Sequence, residues 1–112
     1  MNILILYEPP TSEQLAELLE PLDSFIKLAV DIRRGLLAAG GAMHADCEEV
    51  LLADGSRQED IWGADWVPDA GVVRCESLIN IRPRQNNLGL EIQDLERRAR
   101  VEQVVRQVFE GH

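Results

Sequence analysis

His44, Asp46 and Glu48 stand two residues apart in the stretch MHADCEEV. An imidazole with two carboxylates is a donor set that Zn²⁺, Mn²⁺ or Fe²⁺ accepts, so a divalent metal is the first cofactor to consider. On a strand, residues i, i+2 and i+4 project to one side at roughly 7 Å intervals, and neighbouring members share an ion only where the strand bends. Residues 43–66 also hold seven acids (Asp46, Glu48, Glu49, Asp54, Glu59, Asp60 and Asp65) against one base, Arg57. The plainer alternative is a solvated acidic face with His44 hydrogen-bonded to a neighbour. That alternative gains from the lack of a recognised metal motif such as HExxH.

A second constellation is Asn80, Arg82 and Arg84. An arginine fork binds carboxylate or phosphate bidentately, so Arg82 is a candidate for holding a small anionic ligand, or for meeting Asp46 if the two strands lie side by side. The competing reading is a salt bridge on a sheet face, with Pro83 ending the strand. Trp62 and Trp66 share a face at i and i+4 of a strand; Trp62 could line a ligand pocket or an oligomer interface, and core packing is the stronger alternative. Ser56 lacks the G-x-S-x-G context of a nucleophile and reads as a turn residue. Cys47, next to apolar residues and away from a helix start, reads as an inert thiol. Gly40-Gly41 has no phosphate-loop spacing. Arg97, Arg98 and Arg100 read as a solvated helix face rather than an RNA contact, since two of them have an acid four residues earlier.

The elements that must position these groups follow from periodicity. Ile3 to Tyr7 is a continuous apolar run, the pattern of a strand covered on both faces and central in a sheet. Thr11 and Gln14 form a capping box for a helix whose apolar face is Leu15, Leu18, Leu19 and Leu22, ending near Pro21. Lys27 to Arg33 alternates as a strand, Arg33-Arg34-Gly35 turns it, and Leu36 to Ala39 returns. A helix over 25–39 is the competing assignment, but Gly35, Gly40 and Gly41 would each cost it about 1 kcal/mol. Met43 to Ala53 reads as a strand with a bulge near Val50, and Asp54-Gly55-Ser56 as a hairpin turn. Ile61 to Val67 is another strand and Pro68 to Gly71 a turn. Val72 to Arg82 alternates as a last strand. From Glu91 to Glu110 the helical period returns in Val101, Val104, Val105, Val108 and Phe109, with Asp94–Arg98, Glu96–Arg100 and Glu102–Arg106 as i,i+4 pairs and Gly111 as the stop. The sum is α+β: a mostly antiparallel meander sheet of about five or six strands, with an N-terminal and a C-terminal helix covering one face.

HAD at 44–46, DGS-x-Q-x-D-x-WG at 54–63 and INIRP at 79–83 occur in one order, after a hairpin reading VDIRRGLLAAGG. In these motifs the chain resembles a small bacterial family known as a domain of unknown function, from LYEP near the start to the final helix. The resemblance implies a cytosolic bacterial protein and transfers no activity and no catalytic residue.

Composition sets the remaining bounds. A chain of 112 residues with 46% hydrophobic and 28% charged residues is one ordinary globular domain. A net charge of −9 disfavours nucleic acid and anionic lipid as partners. The opening MNILILYEPP reads as neither signal peptide nor membrane span, and two distant cysteines fit free thiols in a reducing cytoplasm. The leading expectation is a non-enzymatic binding or interaction module that forms a homo-oligomer, the oligomer being suggested by the exposed edges of a small meander sheet and by the tryptophan pair. The competing function is a metal-assisted hydrolase, with His44, Asp46 and Glu48 on the ion and Arg82 on a small anionic substrate.

Overall fold

The computed structural model describes residues 2–111. In chain order its elements are β1 (Leu4–Leu6), α1 (Ser12–Leu19), β2 (Ile26–Asp31), β3 (Leu36–Ala39), α2 (His44–Ala53), β4 (Ile61–Val67), β5 (Val72–Arg74) and α3 (Leu95–Glu110). The strands make one antiparallel sheet in the order β1-β3-β2-β4-β5. The fold is therefore α+β, with helices near both ends of the chain as expected.

Local chemistry explains the elements that periodicity identified. Thr11 caps α1: its hydroxyl accepts from the Gln14 amide at 3.1 Å and the Gln14 side chain accepts from the Thr11 amide at 2.9 Å. Asp31 closes the β2–β3 hairpin, its Oδ1 accepting from the amides of Arg33 and Arg34, both at 2.9 Å. Gly35 then takes a φ of +71°, open to glycine at no steric cost, and the chain returns with Leu36 opposite Asp31. Asp94 caps α3 through the amides of Glu96 and Arg97, and Gly111 ends it in the left-handed region. The helix starts at Leu95, later than the periodic stretch from Glu91, because Asp94 is committed to the cap. Of the three expected i,i+4 pairs, Glu102–Arg106 forms at 3.6 Å. Arg100 instead donates to the Ile32 carbonyl at 3.0 Å.

Residues 43–53 correct the strand assignment: His44–Ala53 is a helix, with Met43 as its N-cap. The carboxylate of Asp46 accepts from the Met43 amide at 3.2 Å, satisfying a donor at the helix start where acidic side chains also oppose the positive end of the dipole. Cys47, Val50 and Leu51 have the i, i+3, i+4 spacing of one helical face, and they pack against the sheet. Asp54-Gly55-Ser56 is accordingly a helix stop and not a hairpin. The Ser56 amide donates to Leu51 O at 3.0 Å and the Gly55 amide to Leu52 O at 3.2 Å, with Gly55 at φ +99°; this is a Schellman closure.

The new helix changes the layering. Helices α1 and α3 cover one face of the sheet, burying Leu28, Val30, Leu37, Ala39, Trp62, Ala64 and Trp66 with Leu18, Val101, Val104, Val105 and Val108. Each fully buried valine of α3 contributes roughly 1.5–3 kcal/mol relative to exposure. Helix α2 covers the other face over Ala29, Ala38 and Ile61. Helices on both faces replace the one-sided cover expected. The β1 strand is also corrected from central to edge. Its apolar run is two-sided because Leu4 and Leu6 join the α1–α3 core while Ile3 and Ile5 join the α2 core.

Residues 72–82 are not one strand. Pairing stops at Arg74 opposite Asp65, and the chain continues as irregular backbone with 3-10 turns at Leu78–Asn80 and Pro83–Gln85. Buried Asn80 takes the place of the missing strand: its Oδ1 accepts from the Gly63 amide at 2.8 Å and its Nδ2 donates to the Gly63 carbonyl at 3.1 Å. Asn87 fixes the far side of the segment, donating to the carbonyls of Asn80 and Glu91, both at 2.8 Å, and accepting from the Gln93 amide at 2.9 Å. Gly63 admits this close approach because a Cβ there would lie 2.5 Å from the Ser77 Cβ. Replacing Gly63 by Ala is therefore expected to destabilise the protein by about 1–3 kcal/mol. In urea denaturation, Ser77→Gly in the Gly63→Ala background should recover part of that loss. Equal stability of Gly63→Ala and the parent would contradict the packing described.

Candidate functional site

The start of α2, the ends of β2, β4 and β5 and the segment after β5 enclose a cleft of about 520 Å³. Helix α2 delivers His44 because Asp46 has fixed its first turn. Strand β4 delivers Asp65, whose side chain points to the α2 face. Their side chains are 12% and 11% exposed, and His44 Nε2 lies 2.8 Å from Asp65 Oδ1. A carboxylate only accepts, so Nε2 donates and Nδ1 is left as an acceptor in the neutral ring. On the other carboxylate oxygen, Arg74 Nε stands at 3.4 Å, and the Arg74 guanidinium lies 4.6 Å from the centre of the Phe25 ring. Lys27 adds a second cation and Glu76 an acid to the lining. Around this polar floor the rim is apolar and wet: Met43 is 56% exposed, Leu78 73% and Leu90 39%.

The residues expected to act together at residues 44–48 are separated by the helix. His44 pairs with Asp65, Asp46 caps the helix and Glu48 accepts from Arg82 Nη2 at 3.1 Å. Successive residues of a helix turn by about 100°, so Asp46 points away from the face shared by His44 and Glu48. Among the described residues, no three His, Cys, Asp or Glu side chains come together in a way that could hold a metal ion. The anticipated trio does not form a ligand set.

Asn80 and Arg82 carry structural loads. Asn80 is spent on Gly63 and on the Leu90 carbonyl at 3.1 Å. Arg82 Nε donates to Ile79 O at 3.1 Å, while its Nη1 reaches Gln58 O at 2.6 Å and Gln85 Oε1 at 3.3 Å. Burial pushes the Arg82 guanidinium below its ordinary pKa, Glu48 opposes that shift and Arg97 adds to it. Trp62 is buried in the core, where the guanidinium carbons of Arg82 and Arg97 lie 4.6 and 4.3 Å from the centre of its ring system. It does not line the cleft, and Trp66 is buried as well. Sequence reasoning missed Asp65, Arg74 and Lys27. The available signal was the pairing of neighbouring strands, which sets Asp65 opposite both Lys27 and Arg74.

A family model described as a protein of unknown function, DUF5674, matches residues 4–108. The chain belongs to this family. No curated protein and no solved structure matches it. Among the described residues, no helix is long and apolar enough to cross a membrane.

Nucleophilic chemistry finds no activated thiol. Cys47 and Cys75 are buried, and burial raises each thiol from 9.0 to about 11. The Cys47 thiol donates to the Lys27 carbonyl at 3.6 Å. Both are neutral at physiological pH and poor nucleophiles. A raised folded-state value means that, above about pH 9, the unfolded chain loses these protons while the folded chain keeps them. Stability should fall as pH rises from about 9 towards about 11. Urea midpoints over that window should show a shallower decline for Cys47→Ala/Cys75→Ala than for the parent, and parallel declines would contradict the assignment.

Proposed function

We propose that the protein is a non-enzymatic interaction module of the bacterial cytosol, self-associating as a homo-oligomer. The observation that carries this reading is the cleft itself, with three exposed aliphatic side chains around a floor of His44, Asp65, Arg74 and Lys27. An apolar rim with a few convergent polar groups is the composition of a binding site. The occupant it fits is a short stretch of protein chain with an aliphatic side chain beside a carboxylate. The aliphatic group meets Met43, Leu78 and Leu90, and the carboxylate meets Lys27 and Arg74. Leu95 of a second copy has that character, being 80% exposed and followed by exposed Glu96.

The tryptophan pair no longer supports self-association, since both rings are in the core. Long free sheet edges do not support it either: β1 has three residues and β5 three. Support rests on the rim. The hydrolase reading requires several donors on one ion beside Arg82, and it gains no support from a histidine held by Asp65 and an Arg82 spent on Glu48 and backbone carbonyls.

Sedimentation velocity over a wide concentration range tests the proposal. The parent should sediment as an oligomer at high concentration. Leu78→Lys, exposed and outside every buried cluster, should sediment as a monomer with an unchanged circular dichroism spectrum. A parent that stays monomeric at the highest concentration reached would sink the self-association reading.

A further inference from the structure

The chain has ten arginines. Six are paired with carboxylates or donate to backbone carbonyls: Arg33, Arg34, Arg74, Arg82, Arg100 and Arg106. Arg97 lies against Trp62, and the charge of Arg98 acts on the Cys75 thiol, opposing the rise of its pKa. The two whose side chains have no partner among the described residues are Arg57 and Arg84. Both line the same groove, of about 710 Å³, and no residue of the cleft described above lines it.

We propose that this groove is an anion site for a small phosphate monoester, with Arg57 and Arg84 as its two ligating guanidinium groups. Its walls are the 3-10 turns Gln58–Asp60 and Pro83–Gln85, and two hydrogen bonds staple them together. Arg82 Nη1 donates to Gln58 O at 2.6 Å, and Gln85 Nε2 donates to Glu59 O at 2.9 Å. The frame is thus set before a ligand arrives, which removes ordering cost from binding. Arg82 closes the groove from inside and is neutralised there by Glu48, so the uncompensated charge comes from the two outer guanidinium groups. Glu59 is the one acid on the lining; its side chain is exposed and has no partner among the described residues.

Two unpaired guanidinium groups match a dianion better than a single carboxylate, and each fork fits two oxygens of a phosphate. The volume exceeds the needs of a bare phosphate and falls within the range of small-molecule pockets. The walls left for the organic part are the Pro83 ring and the stems of Gln58 and Gln85. On a chain with net charge −9, such an anion would be repelled elsewhere, which focuses its binding here.

Backbone amide NMR of the full chain at low ionic strength, titrated with inorganic phosphate, adenosine 5′-monophosphate and adenosine, tests the site. The monophosphate should give saturable shifts at Arg57, Gln58, Glu59, Arg84 and Gln85, at lower concentration than inorganic phosphate, and adenosine should give none. Arg57→Gln/Arg84→Gln, both exposed, should retain the parent melting temperature and bind the monophosphate at least about tenfold more weakly. Glu59→Gln should bind it more tightly, and His44→Ala should bind it as the parent does. Absence of saturable shifts with every probe would overturn the proposal. So would adenosine binding equal to the monophosphate, phosphate binding as tight as the ester, or undiminished binding by the double variant.

Discussion

The side-chain amide of Asn80 against the peptide groups of Gly63 is the contact on which the last third of the molecule depends. Strand β5 stops at Arg74, leaving the amide and carbonyl of Gly63 on a buried strand with no backbone to meet them. A buried peptide group left unpaired costs about 1–3 kcal/mol. Asn80 removes that cost at both atoms, and in doing so pins the 77–82 segment over the sheet. Everything offered to solvent on that side follows. Ser77, Leu78 and Ile79 become a wall of the cleft, and Arg82 to Gln85 become a wall of the groove.

The same economy governs the charged groups. Asp65 is shared by a histidine from α2 and an arginine from β5, and Glu48 of α2 reaches across to Arg82. Helix α2 is therefore tied at both its first turn and its middle to the segments that follow the sheet. Its burial of Cys47 and Leu51 supplies the hydrophobic attachment, and the His44–Asp65 hydrogen bond and the Glu48–Arg82 ion pair set its register over the strands. Breaking one partner of such a half-buried pair leaves an uncompensated charge, which is worse than never having had the pair.

Much of this was legible in the chain. The α1 capping box, the Arg-Arg-Gly hairpin and the valine stripe of α3 are local signals, each decided by a few neighbouring residues. Helix α2 was not legible because His44, Asp46 and Glu48 imitate the period of a strand, while the apolar positions that reveal the helix, Cys47, Val50 and Leu51, are few. The doubly covered run at β1 signalled cover on two faces, which an edge strand also has when helices lie above and below it. The INIRP stretch alternates as a strand would, yet its asparagine is consumed by a tertiary contact to Gly63. The cleft was out of reach for the same reason. His44, Asp65 and Arg74 come from three elements, and the sheet register together with the packing of α2 on the sheet brings them together.

The two tryptophans, silent as ligands, give the molecule a built-in optical gauge. Trp62 is out of water and its ring system touches a guanidinium from the post-sheet segment and another from α3. Trp66 stacks on Phe109 near the end of α3, with ring centroids 5.5 Å apart and planes at 11°. Emission from the first ring reads how the segment around Arg82 sits on the body of the protein, and emission from the second reads the seating of the last helical turns. With one indole replaced by phenylalanine at a time, unlabelled protein would report separately on those two attachments.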